Sequence, residues 1–290
     1  MNNKEIEKSI SKDQKIIESI KKEVSNVIVG QNKIVESFIK ALISNGNVLV
    51  EGVPGLAKTL IVRALSKVMG CGFSRIQFTP DLLPTDIIGI TAYDRERGFY
   101  VLKGPIFNNF ILADEINRAP PKVQSALLEC MQEKQATIGK ETFDMPTPFF
   151  VLATQNPIEQ LGVYPLPEAQ VDRFLFKLKI NYPELKEEME VLHQNITTKK
   201  FEEYNLKAVT SPETIKKLQD SVKKIYLDKK IENYIIKIVD ATRNPEKYKI
   251  KLGKYIEWGA SPRASIGMFI ASKADALIKG KSFVTPQNVK

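Results

Sequence analysis

Histidine, tryptophan and cysteine are almost missing from this chain, with one, one and two copies among 290 residues. A structural zinc site takes four Cys or His ligands. Cys71, Cys130 and the lone His193 are too few and lack ligand spacing, so zinc chemistry is excluded. Two cysteines also make no disulfide framework and fit a reducing compartment. No apolar run is long enough to span a bilayer. The start, Met1-Asn2-Asn3-Lys4-Glu5-Ile6, is polar and has no signal-peptide core. A cytoplasmic protein without a membrane span is expected. Arginine is scarce as well: eight of 43 basic residues, the rest lysine. The net charge of +9 points first to nucleic acid. The lysines, however, interleave with acids, as in Lys186-Glu187-Glu188 and Lys229-Lys230-Ile231-Glu232. That is the pattern of solvated helix faces, and nucleic-acid binding is not expected.

What is present is an ordinary globular composition, 43% hydrophobic and 27% charged. The length suits two domains. Ile6, Ile10, Ile16, Ile17, Ile20 and Val24 recur at helical spacing, and Val27–Gln31 breaks that helix. A second helix over Ile34–Leu42 stops at Asn45-Gly46.

A short apolar strand, Asn47–Val50, then runs into Gly52-Val53-Pro54-Gly55-Leu56-Ala57-Lys58-Thr59 and a helical pattern from Leu60. A buried strand, a glycine loop and a helix that starts on Lys-Thr form a phosphate cradle. Gly52 and Gly55 let successive N–H groups turn inward, and the helix N-terminus adds partial positive charge. Lys58 can reach the outer phosphates, and the Thr59 hydroxyl can ligate Mg²⁺. Ala57 stands where a third glycine is expected.

A second apolar strand, Asn109–Ala113, ends in Asp114-Glu115. Strand alternation predicts that these two carboxylates point in different directions. Asp114 is placed to hold Mg²⁺ and Glu115 to act as general base on water. A third strand, Phe149–Thr154, ends in Gln155-Asn156-Pro157. Ligands collect outside the carboxyl ends of parallel strands, so Asn156 either orients water near Glu115 or merely starts an Asn-Pro turn. Further strands are expected at Ser74–Phe78 and Leu175–Leu178. Hairpins are expected at Ile87–Leu102, around the turn Asp94–Gly98, and at Gln135–Asp144. Cys130 shares an apolar helical stripe with Val123, Ala126, Leu127 and Met131, and is read as core.

Gly52–Thr59 together with Ala113–Pro121, Ala153–Pro157, Leu166–Phe174 and Gly259–Ala264 resembles the MoxR family of AAA+ ATPases. The motifs come in the family's order, and an alanine at position 57 is typical of it. The resemblance implies an α/β core, a parallel sheet flanked by helices, over residues 1–182. It implies a C-terminal helical lid over 183–290, which is either short or continues past Lys290. It implies Mg²⁺-dependent ATP hydrolysis. The ATP contacts would be Val29 and Gly30 beside the adenine, with Gly52, Pro54, Gly55, Leu56, Ala57, Lys58, Thr59 and Leu60 around the phosphates. Arg173 would be a finger reaching into a neighbour's site, and Arg263 the lid's nucleotide sensor, in cis or in trans. Arg118 is either a salt-bridge partner at the start of the Pro120 helix or an interface residue. A shared site implies a homo-oligomeric ring, most simply a hexamer. The family's role is chaperone-like remodelling or metal insertion on partners that often carry a von Willebrand factor A domain, and its two hairpin insertions face the pore or a partner. Three competing readings stay open: a nucleic-acid motor of the replicative-helicase type, a magnesium-chelatase ATPase subunit, and a nucleotide-gated scaffold.

Overall fold

The computed structural model describes residues 3–52, 57–96, 98–156, 162–182, 185–194 and 200–290. In chain order these form α1 (Asn3–Ser25), α2 (Asn32–Ile43), β1 (Val48–Glu51), α3 (Lys58–Val68), β2 (Phe73–Gln77), α4 (Pro84–Ile88), β3 (Gly89–Asp94), β4 (Gly98–Lys103), β5 (Phe110–Asp114), α5 (Pro121–Glu133), β6 (Gln135–Ile138), β7 (Glu141–Asp144), β8 (Phe150–Gln155), α6 (Glu168–Val171) and β9 (Phe176–Lys179). Helices α7 (Leu185–Gln194), α8 (Pro212–Lys224), α9 (Lys229–Arg243), α10 (Pro262–Ile278) and α11 (Pro286–Val289) follow.

Every ladder of the main sheet is parallel, in the order β2-β5-β8-β1-β9. Its inner strands are buried on both faces, as parallel strands covered by helices must be: Val48–Val50, Phe110–Ala113 and Phe150–Ala153 are all closed to solvent. These strands are therefore legible in the sequence as apolar runs, with bounds shifted by a residue. Asn47 starts the sheet. Its Oδ1 accepts the Val151 N–H at 2.9 Å, and its carbonyl accepts the Leu175 N–H at 2.8 Å. One polar residue thus sets the entry of β1 against both neighbours.

Helix ends follow their punctuation. Asn45 takes a left-handed φ of 54°, and the Gly46 N–H returns to the Ala41 carbonyl at 2.9 Å, closing α2. The second hairpin, β6–β7, lies where the sequence pattern puts it. The first differs at its start. Pro84 and the Asp86 carboxylate, which accepts the Leu83 N–H at 2.8 Å, wind Ile87 and Ile88 into α4. Only at Gly89, with φ 115°, can the chain turn out into β3. Cys130 lies in the core of α5 as expected, and burial pushes its thiol up to about 11.

The chain divides into two compact units, Ser19–Lys216 and a second holding the residues up to Glu18 with Lys217–Lys290. The sequence expectation puts a boundary at 182/183. Among the described residues no strand follows β9, and the chain from residue 200 to 216 stays with the α/β unit: the Val209 N–H donates to the Val68 carbonyl at 2.8 Å, and Arg63 pairs with Glu202 at 2.7 Å. In the second unit α10 packs on α9 and α11, burying Ala274, Leu277 and Ile278 with Ile235 and Val239. Asn288 of α11 donates to Asp275 of α10 at 2.8 Å.

Asn47→Ala leaves the buried Val151 N–H without an acceptor and should cost about 1–3 kcal/mol. Urea unfolding of the variant against the parent checks this.

Candidate active site

The carboxyl ends of β1, β2, β5 and β8 open on one cleft of about 430 Å³. Gly52, Ala57, Lys58, Thr59 and Leu60 line one wall, and Arg75, Gln77, Asp114, Glu115, Thr154 and Asn156 the other. Residues 53–56 fall outside the described residues, and with them the expected contacts Pro54, Gly55 and Leu56.

Ala57 explains why glycine is the usual residue there. It precedes α3 with a left-handed φ of 53°, which an L-residue adopts at a cost of about 1 kcal/mol. It gives α3 no side-chain cap, so the first N–H groups of that helix face the cleft without a capping side chain. Lys58 opens the helix, and its Nζ donates to the Gly52 carbonyl at 2.9 Å. Burial lowers its pKa, and the charges of Asp114 and Glu115 oppose that.

Strand alternation does not extend to the second carboxylate. β5 ends at Asp114, and Glu115 turns left-handed, φ 57° and ψ 49°. Both acids line the same cleft as Lys58. The parallel register sets Asp114 beside Thr154, since Ala113 pairs with Ala153. The Thr154 hydroxyl accepts the Glu115 N–H at 2.9 Å and donates to Asp114 Oδ1 at 2.6 Å. Asp114 Oδ2 is held by Arg75, through Nη2 at 2.7 Å and Nε at 3.1 Å. Glu115 Oε2 accepts from Gln77 Nε2 at 2.8 Å and pairs with Arg118 Nε at 3.3 Å. Of the two sequence readings of Arg118, the structure contains the salt bridge. Asn156 follows β8 directly and is buried against the same cleft.

Sequence reasoning missed Arg75, Gln77 and Thr154. Thr154 leaves a trace, a hydroxyl closing an apolar run and wholly buried in the fold. Arg75 and Gln77 are polar at i and i+2 in β2, hence on one face, but only the strand order puts that face against β5.

Other expected residues are not among those that line this cleft. Gly30, φ 75°, lies against the Glu187 side chain, and Val29 precedes it in the link between α1 and α2. Arg173 is exposed just past α6 and lines a separate cleft of about 420 Å³ with Glu129, Gln132 and Glu133 of α5. Arg263 is in the first turn of α10, within the second unit, where its N–H is capped by Ser261 Oγ at 3.1 Å.

Residues 47–176 match the family model for the ATPase family associated with various cellular activities, and residues 253–290 match that for the AAA lid domain. Chaperone MoxR1 of Mycobacterium tuberculosis is 49% identical over 92% of this chain and 70% of its own. The chain belongs to the MoxR family of AAA+ ATPases. YeaC of Bacillus subtilis, a protein without a characterised role, is 44% identical over 92% of this chain and 81% of its own. The crystal structure of a putative ATPase from Cytophaga hutchinsonii superposes with a TM-score of 0.91 at 44% identity, covering all of this chain and 88% of that one. As a MoxR-family member the chain is an ATP-hydrolysing enzyme with the α/β AAA+ fold and a C-terminal helical lid. Among the described residues no helix is long and apolar enough to cross a membrane.

The site's donors fit a nucleotide triphosphate with a divalent cation. An uncapped helix start and an ammonium suit phosphate oxygens, and a hydroxyl with one carboxylate is the sparse oxygen set that Mg²⁺ completes with phosphates and water.

Thr154→Val keeps the shape but strips the Glu115 N–H of its acceptor and Asp114 of a donor. A loss of about 1–3 kcal/mol is expected, with Thr154→Ser near the parent; chemical denaturation distinguishes them.

Proposed function

We propose that this chain hydrolyses ATP with Mg²⁺ in a site completed by a second copy of itself, and that turnover drives chaperone-like remodelling of a protein partner. The observation that carries the chemistry is that Lys58, Thr59, Asp114, Glu115 and Asn156 line one cleft. When bound, the magnesium–ATP complex supplies the electrophilic phosphoryl group and the cation that screens its charge.

Lys58 Nζ binds the outer phosphates, while Thr59 and Asp114 would hold the cation. Thr154 and Arg75 orient the Asp114 carboxylate to that end. Glu115 takes the proton from the attacking water. Its partners Gln77 and Arg118 both hold Oε2, which leaves Oε1 as the base. The Asn156 amide, beside the same cleft, orients that water. Val29 and Gly30 edge the adenine.

Arg173 supports the shared site. It is exposed and lines a cleft away from Lys58, so it is available to a neighbouring subunit's phosphates as a planar, bidentate donor. Arg263 acts as the lid's sensor. The ring is a hexamer in this reading, working in the cytoplasm on a partner that carries a von Willebrand factor A domain or receives a metal. The chaperone name of the Mycobacterium relative supports the remodelling role.

Glu115→Gln keeps the shape and removes the base. ATP should bind as in the parent while turnover falls by about two to four orders of magnitude; calorimetry and steady-state phosphate release check the two halves. Survival of turnover within a few-fold would place the base elsewhere.

Arg173→Ala should bind ATP and hydrolyse it about 10³-fold more slowly. Mixed with the Glu115→Gln chain, it should regain activity, since some interfaces then join an intact Glu115 to an intact Arg173. A mixture that forms mixed rings yet stays inactive would refute donation in trans.

A further inference from the structure

The segment that leads into Arg263 is fastened by the last turn of α9. Arg243 Nε donates to the Ala260 carbonyl at 2.7 Å. The Ala260 N–H donates to Thr242 Oγ1 at 2.9 Å, and the Thr242 hydroxyl proton goes to the Val239 carbonyl at 2.7 Å. Two consecutive helix residues thus take both backbone polar groups of one residue. The approach is close enough to demand glycine next door: a Cβ on Gly259 would lie 2.6 Å from Arg243 Cγ and 2.7 Å from Arg243 Cα. The far side of the same turn is tied as well. Asp240 accepts from Asn244 Nδ2 at 2.8 Å, Lys247 Nζ at 2.9 Å and Tyr248 OH at 2.8 Å. The fastened end of α9 is therefore a fixed reference, and α10 begins two residues beyond Ala260.

We propose that Arg243 is a positioning residue for Arg263, setting where the first turn of α10 presents that guanidinium. This rests on the reading of Arg263 as the nucleotide sensor. Arginine suits this role because Nε donates sideways from a chain packed along Gly259, whereas a lysine ammonium at the tip of its stem has no donor at that point. Arginine here, in a chain that otherwise prefers lysine, is accounted for by this contact. A displacement of about 1 Å at a group that orients the substrate can cost about 10² in rate, so a tether three residues before Arg263 matters to turnover without touching nucleotide.

Trp258 gives a readout independent of activity. It is the single tryptophan, 78% exposed, and lies next to Gly259. In the full chain, Arg243→Ala should enlarge the fast component of Trp258 fluorescence anisotropy decay, and Arg263→Ala should not. ATP kcat/KM of Arg243→Ala should fall about 10- to 100-fold, to the level of Arg263→Ala. The double variant should be no slower than Arg263→Ala alone. Arg243→Lys should rescue little. Thr242→Val, which removes the acceptor of the Ala260 N–H together with the hydroxyl's own donation to Val239, should reproduce part of both effects. Normal kcat/KM in Arg243→Ala beside a slow Arg263→Ala overturns the positioning role alone, as do losses that multiply in the double variant. Parent-like turnover in Arg263→Ala overturns the sensor reading and this inference with it.

Discussion

One hydroxyl joins the two acids of the cleft. Thr154 accepts from the backbone of Glu115 and donates to the side chain of Asp114. It can do both only because β5 and β8 run parallel with Ala113 opposite Ala153. A slip of one residue in that register would turn every side chain of one strand to the other face and carry Thr154 away from Asp114. The register is in turn held by apolar strands buried on both sides and, where the two strands begin, by the Phe150 N–H donating to the Asn109 carbonyl at 2.7 Å. The chemistry at the carboxyl edge of the sheet thus depends on packing and polar anchors at its amino edge.

Charge in the cleft is balanced with equal care. Asp114, Glu115, Lys58 and Arg75 line the cleft, and each acid has a cationic partner, Arg75 for Asp114 and Arg118 for Glu115. Burial works against the Lys58 ammonium, and the two carboxylates work for it. A buried charge keeps its charge only where partners compensate the lost solvation. The partners come from three strands and the turn after β5.

Much of this is readable from the sequence. The strand at Val48–Glu51, the helix from Lys58, the apolar strand closing on Asp114 and the hairpin at Gln135–Asp144 are all local, and local patterns carry local structure. The failures are equally physical. Alternation past Asp114 assumes an unbroken strand, whereas the backbone turns left-handed at Glu115. Ile87 and Ile88 read as strand, but a proline and an aspartate cap wind them into α4. Arg75 and Gln77 gain their meaning from the strand order β2-β5-β8, which joins residues about 40 apart, and no window along the chain contains that order. The fastening of Ala260 by Thr242 and Arg243 is hidden for the same reason.

The left-handed backbone at Glu115 sets two demands against each other. Glycine would adopt that conformation more cheaply, by roughly 1 kcal/mol, and would add nothing that accepts a proton. A laboratory selection for heat resistance alone would drift toward glycine at position 115 and lose the carboxylate. With Glu115 as the proposed base, the strain accords with the gathering of unfavourable backbone at functional sites.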